Sequence, residues 1–233
     1  MTMSAYDFKW NRDFSEEVCS RLVSADKFIC DSVLPHDPIL NSALKANVAA
    51  GLDNIDVAPN QGKLYYLLAR LASAKKILDV GTLGGYSAIW FAQAIPGDGK
   101  VVTLPVEPKH AQGAESNNKN AGFEKKIQVR VGPALDTLKK MESEGWGLGK
   151  ENEYVDHAAH FSRGGTLIVV DNVGRRGKTA DETCTEGQFG DDVVGTRRMF
   201  EMMGKDKRID VTAVQTVGSK GWDDFALALV VEL

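Results

Sequence analysis

The sequence predicts an α/β fold in which a doubly wound, mostly parallel sheet follows an N-terminal helical extension. From Lys76 onward, short apolar runs rich in β-branched residues alternate with segments of helical periodicity, which is typical of βαβ units. The first run ends in a glycine-rich turn that opens directly into a helix, as in sheets that bind ligands at their carboxyl edge. We therefore expect a single domain over residues 1–233, with residues 1–55 as the extension and 56–233 as the α/β core.

The extension is predicted to contain a long helix and a second helix from about Pro38 to Ala50. A third helix is predicted to begin near Asn60. In the long helix, apolar residues recur at steps of three and four, which places them on one stripe that we expect to be buried. The stripe consists of Phe14, Val18, Leu22, Ala25, Ile29 and Val33. Asn60 can cap the third helix, and we expect leucines on its buried face. These are Leu64, Leu67, Leu68 and Leu71.

Six apolar runs predict the strands of the core. They span 77–80, 101–104, 127–131, 166–170, 209–214 and 225–231. Helices are expected at 85–94, 109–121, 134–141 and 152–161. The interval between the third and fourth strands is out of step, because residues 132–165 contain no β-branched run of strand length. We therefore expect that this interval is longer than the others or that an element is missing from it.

Composition and charge exclude several classes of protein. The chain has 233 residues, 43% hydrophobic and 26% charged, which is enough for a sizeable core and excludes disorder or a fibre. With a net charge of −4 and no dense run of lysine or arginine, we expect no nucleic-acid partner. No apolar run approaches the roughly 20 residues of a membrane-spanning helix. The absence of a secretory signal and of any CxxC pair among Cys19, Cys30 and Cys184 predicts a cytoplasmic protein with reduced thiols.

The glycine-rich turn after the first strand indicates the kind of ligand. The sequence from Asp79 to Ser87 has the spacing GxxGG, whereas a dinucleotide site typically has GxGxxG. Asp79 places a carboxylate beneath the turn, which repels a diphosphate and favours a cationic ligand. Two alternatives stay open: a tight turn that binds no ligand, and the nicotinamide site of an oxidoreductase, which the spacing and Asp79 disfavour.

Four blocks of sequence, in this order, resemble the cation-dependent class I O-methyltransferases that use S-adenosylmethionine, the group of the caffeoyl-CoA and catechol O-methyltransferases. The blocks span 57–62, 74–87, 131–135 and 169–173. The resemblance covers residues 57–233 and implies a Rossmann-like class I methyltransferase fold with a cofactor-binding core. It also implies methyl transfer to a phenolic or catecholic hydroxyl, assisted by a divalent cation, usually Mg²⁺.

The resemblance implies which residues bind S-adenosylmethionine. The residues that would line the cofactor are Val57, Gly81, Thr82, Ser87 and Ala134. Asp79 would bind its ammonium end. Relatives carry an acidic residue for the ribose at the end of the second strand, where this chain has Pro105. Glu107 can take that role, or it is only the start of the helix that begins at Pro108.

For the metal, Asp171 and Asn172 match two of the three protein ligands in the resembling family, although this pair is also common in plain turns. The segment that carries the third ligand is absent, and Lys150 is the candidate for the catalytic lysine of such enzymes. The missing strand would lie at the centre of the sheet. Either the strand at 77–80 pairs directly with that at 166–170, or the chain is an isoform or gene-model product of reduced stability.

The resemblance thus predicts a methyltransferase with a small-molecule phenolic acceptor and no membrane or nucleic-acid partner. Because the third acidic ligand is absent, we expect catechol to be methylated only weakly. The alternative is a catalytically impaired or non-catalytic descendant that binds the cofactor or a partner. The N-terminal helices are expected to cover the cofactor and to take part in a homodimer.

Overall fold

A computed structural model describes residues 14–144, 162–186 and 190–231. The chain divides into two compact units. One comprises Cys30–Trp146, and the other combines Met1–Ile29 with Gly147–Leu233. None of the helices in the described ranges has the length and hydrophobicity needed to cross a bilayer.

Three helices precede the first strand, close to their predicted positions. They are α1 (Glu16–Val33), α2 (Pro38–Ala49) and α3 (Pro59–Leu71). Helix α2 begins after Asp37, whose Oδ1 accepts hydrogen bonds from the backbone N–H groups of Ile39 and Leu40 at 2.8 and 3.1 Å. The cap satisfies two N–H groups that have no partner within the helix.

The start and the buried face of α3 differ from the prediction. Its N-cap is Ala58 and not Asn60, because Pro59 occupies the first helical position, where a missing N–H has no consequence. The face predicted from leucines is wrong in part, since Leu67 and Leu71 are exposed. The residues of α3 that are buried are Gly62, Tyr65 and Ala69.

The apolar stripe of α1 was predicted to be buried, and this is wrong for much of its length. Val18, Ile29 and Val33 are exposed, Val33 to 67%, whereas Cys19 is buried. The periodicity correctly places these residues on one helix, but it does not make them buried in the described part of the chain.

The unit Cys30–Trp146 contains a parallel sheet of three strands in the order β1-β2-β3, with a helix after each strand. The elements are β1 (Lys76–Val80), α4 (Tyr86–Ala94), β2 (Lys100–Leu104), α5 (Pro108–Asn120), β3 (Ile127–Val129) and α6 (Ala134–Ser143). Helix α4 is apolar on most sides, and its Ile89 packs in the core with Val101 of β2 and Ile127 of β3. The carboxyl ends of the three strands meet at one edge.

The other unit contains an antiparallel sheet in the order β4-β6-β5. Its elements are β4 (Leu167–Asp171), α7 (Gly190–Met203), β5 (Ile209–Gly218) and β6 (Gly221–Val230), with a short 3₁₀ turn at Lys178–Ala180. Strands β5 and β6 form a hairpin, and β6 pairs on its other side with β4, so that Asp171 lies opposite Phe225. Met203 of α7 packs against Ile209 and Ala228.

All six predicted strands are present, but they form two three-stranded sheets in the described residues and not one mostly parallel sheet. In the described residues β1 pairs with β2 and β4 pairs with β6, so the direct pairing of β1 with β4, one of the two alternatives, is not formed there. The predicted helix at 152–161 and Lys150 lie outside the described residues, as does most of the interval with the missing strand. The missing strand and the single-domain organisation stay predictions.

Candidate functional site

The glycine-rich turn lies at the carboxyl edge of the parallel sheet. Gly81 has a φ of +93°, a backbone conformation that residues with a Cβ rarely adopt. Its N–H donates to the carbonyl oxygen of Leu104 at 3.3 Å. The turn closes through the N–H of Gly85, which donates to the carbonyl oxygen of Thr82 at 2.7 Å. Helix α4 starts directly after it, so its first N–H groups lie beside the turn.

Asp79 lies beneath this turn, as the sequence predicts, and is held by two hydroxyl groups. Its Oδ2 accepts hydrogen bonds from Oγ1 of Thr103 at 2.9 Å and from Oγ of Ser87 at 3.3 Å. Although the residue keeps some exposed surface, burial of its carboxylate among protein atoms raises its pKa to about 6, and the two hydrogen bonds only partly oppose this. A cation bound nearby would favour the ionised form.

A second hydroxyl extends this network. Oγ1 of Thr82 lies 2.6 Å from Oγ1 of Thr103, and both residues are buried. Because the single proton of the Thr103 hydroxyl is directed to Asp79, the Thr82 hydroxyl must donate to Thr103. Thr103 was not identified from the sequence. Its position follows from the register of the sheet, where it lies directly opposite Asp79.

Two of the other predicted cofactor residues of this unit, Ala134 and Glu107, follow the carboxyl ends of neighbouring strands. Ala134 is buried at the start of α6, which follows β3. Glu107 is exposed after β2 at the N-cap position of α5, where its side chain makes no capping hydrogen bond. Pro105 is buried, and its carbonyl oxygen accepts from the N–H of Gly132 at 2.9 Å. Val57 precedes α3 and packs against the core.

A buried polar cluster lies beside the turn and was not predicted from the sequence. Asn117 of α5 donates from Nδ2 to the carbonyl oxygen of Gly84 and to Oδ1 of Asn47 in α2. Asn47 in turn donates to Asp56, the residue before Val57. No local pattern indicates this cluster, since Asn47 and Asn117 are 70 residues apart.

The predicted metal ligands belong to the other unit. Asp171 is the last residue of β4, and Asn172 follows it in the left-handed conformation, with a φ of +59°. The N–H of Asn172 donates to the carbonyl oxygen of Asp224 at 2.8 Å, and the carboxylate of Asp224 accepts from the N–H of Gly174. Through these two hydrogen bonds Asp224, which is 3% exposed, fixes the course of the chain directly after Asp171.

A second carboxylate, that of Asp223, lies on the same face of this sheet as Asp171. Asp223 is two residues before Phe225, the cross-strand partner of Asp171, so the two aspartates project from one face. Burial raises the pKa of Asp223, the charge of Asp224 raises it further, and Lys220 and Arg176 oppose the change. Asp223 is not among the site residues predicted from the sequence.

These residues supply oxygen donors, the ligand type that Mg²⁺ prefers. Within the described ranges, however, no group of three or more histidine, cysteine, aspartate and glutamate side chains is arranged to hold a metal ion. The metal site therefore stays a prediction, as do the roles of the individual cofactor residues.

Comparisons with known proteins identify the family of the chain. Residues 31–220 match the O-methyltransferase family. The chain is 42% identical to a catechol O-methyltransferase of Niastella koreensis, over 89% of this chain and 96% of the relative. It is 44% identical to a catechol O-methyltransferase of Mycobacterium tuberculosis, over 88% and 94% of the two chains.

Two solved structures show that the likeness extends to the fold, and each of them contains S-adenosylmethionine or S-adenosylhomocysteine. An O-methyltransferase from Bacillus cereus in complex with S-adenosylhomocysteine has a TM-score of 0.83 and 37% identity, covering 91% of this chain and 99% of its own. An O-methyltransferase of tomaymycin synthesis from Streptomyces achromogenes, in complex with S-adenosylmethionine, has a TM-score of 0.84 and 37% identity, covering 94% and 100%. The chain therefore belongs to the O-methyltransferase family, the class of S-adenosylmethionine-dependent enzymes that its four sequence blocks predict.

Proposed function

We propose that this enzyme transfers the methyl group of S-adenosylmethionine to a hydroxyl of a catechol-type phenol. The observation that carries the proposal is the buried carboxylate of Asp79 beneath an open glycine turn at the carboxyl edge of a parallel sheet. Support for the acceptor comes from the two catechol O-methyltransferases that are 42% and 44% identical to this chain.

In this proposal, residues of the parallel sheet hold the methyl donor. Asp79 receives the ammonium group of its methionine part, Gly81 leaves the backbone accessible beside it, and Thr82 holds the turn through its hydroxyl bond to Thr103. Val57, Ser87, Glu107 and Ala134 are proposed to line the rest of the cofactor. The acceptor oxygen then attacks the methyl carbon in line with the sulfur, the carbon–sulfur bond breaks, and S-adenosylhomocysteine leaves as a neutral thioether. The protein mainly contributes alignment and removal of water.

Asp171 and Asn172 are proposed to hold a divalent cation, most simply Mg²⁺, through oxygen atoms, and Lys150 is proposed to receive the acceptor proton. Mg²⁺ commonly binds proteins through one or two carboxylates and keeps further positions for water or substrate, so this donor pair fits it. When bound, the ion lowers the pKa of the attacking hydroxyl. Asp223 supplies a second carboxylate on the same sheet face.

The test is an assay of the full chain with S-adenosylmethionine and catechol, with monomethylated catechol and S-adenosylhomocysteine measured by mass spectrometry. We expect a weak rate that Mg²⁺ raises and that EDTA or Asp171→Asn lowers. Asp210→Asn, an exposed aspartate of β5 in the same unit, is the matched control and should leave the rate unchanged.

The outcomes separate the parts of the proposal. A high rate that EDTA does not change would overturn the role of the metal. Binding of S-adenosylhomocysteine without methylation of any phenol would favour the non-catalytic descendant over the enzyme.

A homodimer is part of the same proposal. Its support is the exposed apolar stripe of α1, on which Ile29 is exposed to 46% and Val33 to 67%, since exposed apolar patches commonly mark protein interfaces. Light scattering on the purified chain should give twice the monomer mass, and Ile29→Glu with Val33→Glu should reduce it to the monomer mass.

A further inference from the structure

Three buried side chains form a hydrogen-bonded chain in the unit Cys30–Trp146. Nδ2 of Asn47 donates to Oδ1 of Asp56 at 2.9 Å, and Nδ2 of Asn117 donates to Oδ1 of Asn47 at 2.8 Å and to the carbonyl oxygen of Gly84 at 2.9 Å. Asn47 is 2% exposed, Asp56 9% and Asn117 4%. The orientation of both amides is set, because Asp56 requires a donor and Gly84 is an acceptor.

The hydrogen bonds of these three side chains join two pieces of backbone that are distant in sequence. Asp56 directly precedes Val57, and Gly84 belongs to the glycine turn above Asp79. Asn47 also lies against the turn itself, because a Cβ added to Gly84 would overlap its side-chain amide. The amide of Asn47 is therefore the shared link between the segment before α3 and the turn that starts α4.

We propose that Asn47 is a positioning residue for S-adenosylmethionine, which fixes the segment of Val57 relative to the glycine turn through Asp56 and Asn117. The inference rests on the proposed function, since both pieces of backbone are proposed to bind the cofactor. Asn47 acts through these neighbours and does not itself touch the reacting atoms.

Helix α2, which carries Asn47, has a second attachment that serves as a matched control. At its first turn, Oδ2 of Asp37 accepts a hydrogen bond from Nε2 of Gln93 in α4 at 2.7 Å. Neither residue contacts the glycine turn through a described hydrogen bond. Gln93→Ala therefore weakens the attachment of α2 without disturbing the link between Asp56 and Gly84.

The experiment measures the dissociation constant of S-adenosylhomocysteine by calorimetry and the melting temperature of the free protein for each variant. Asn47→Asp removes the donor to Asp56 and sets two carboxylates against each other, and it should weaken binding about tenfold or more, which corresponds to about 1.4 kcal/mol per tenfold. Asn117→Ala removes the bonds to Gly84 and Asn47 and should weaken binding similarly. Gln93→Ala should lower the melting temperature and leave the dissociation constant unchanged.

A rescue by exchange distinguishes positioning from general destabilisation. In the double variant Asn47→Asp with Asp56→Asn, the carboxylate at position 47 accepts from both Asn117 and the new amide, so the three hydrogen bonds that join positions 47, 56 and 117 and Gly84 are formed again. We expect its affinity to return to within about threefold of wild type. Variants that melt earlier yet bind S-adenosylhomocysteine as wild type does, or a double variant as weak as Asn47→Asp, would overturn the positioning role alone. Failure of the wild-type protein to bind would overturn the proposed function with it.

Discussion

Replacing Asp79 by asparagine should make the free protein more stable at neutral pH while it weakens cofactor binding. In the folded protein the pKa of Asp79 is raised from 3.8 to about 6 by burial. A carboxyl group whose pKa is raised on folding binds its proton more tightly in the folded state. Stability is therefore lost as the pH rises from about 4 to above 6, and the full loss is present at pH 7.

The size of the effect follows from the two pKa values. Their difference lowers the free energy of unfolding by at most about 3 kcal/mol at pH 7, since a difference of one in pKa is worth about 1.36 kcal/mol. Between pH 5 and pH 8 alone, linkage predicts a loss of about 1.4 kcal/mol for wild type that Asp79→Asn does not suffer. For a chain of this length, that is a relative change in melting temperature of about 3–6 °C.

Ligand binding should change in the opposite sense with pH. With a pKa near 6, about one tenth of Asp79 is ionised at pH 5 and about nine tenths at pH 7, so S-adenosylhomocysteine should bind about tenfold more tightly at pH 7. The ammonium group of the ligand remains charged over this range. Asp79→Asn should bind weakly at both values.

The assays are thermal denaturation of both proteins from pH 5 to pH 8 and calorimetry of wild type at the same pH values. Subtracting the melting temperatures of Asp79→Asn from those of wild type removes the contribution of all other titrating groups. If the melting temperatures of the two proteins changed with pH in parallel, the role of burial would be refuted. An affinity for S-adenosylhomocysteine that does not change between pH 5 and pH 7 would refute the requirement for the ionised form.

Two further substitutions test the surroundings of the same carboxylate. Thr103→Val keeps the shape of the side chain but removes a donor to Asp79, so the pH midpoint of S-adenosylhomocysteine binding should rise by about one unit. Thr103→Ser keeps the hydroxyl and should leave the midpoint unchanged. Equal midpoints in the two variants would contradict this. Gly84→Ala places a Cβ on the amide of Asn47 and should abolish binding and lower the melting temperature, whereas Gly97→Ala meets open space and should do neither. A Gly84→Ala protein that binds normally would show that the turn adapts.

The elements of this fold could be predicted well from the sequence because their signals are local. Alternating apolar runs predicted β1 to β6 within a few residues, and the glycine spacing after Asp79 predicted a turn that leads directly into α4. Periodicity also placed Val18, Ile29 and Val33 on one side of α1, but it does not indicate whether another element covers that side. Their exposure therefore could not be predicted.

The contacts around the site depend on register and on distant pairs. Thr103 contacts Asp79 only because β1 and β2 align Lys76 with Lys100, and a shift by one residue would turn Thr103 to the other face. Local patterns do not specify that alignment. The contact of Asn47 with Asn117 depends in the same way on how α2 and α5 pack.

The raised pKa of Asp79 and the hydrogen bonds around it have one physical explanation. A half-buried carboxylate without a cation destabilises the empty protein, and a side chain free to rotate would move its charge toward water. Thr103 and Ser87 hold Oδ2 in place, and Thr82 fixes the hydroxyl of Thr103 from behind. Because the ammonium of S-adenosylmethionine would lower the pKa of Asp79 again, the free energy lost in the empty protein reappears as affinity. The same carboxylate that limits stability at pH 7 is therefore expected to select a cationic methyl donor, and a stabilising substitution at this position should always weaken binding.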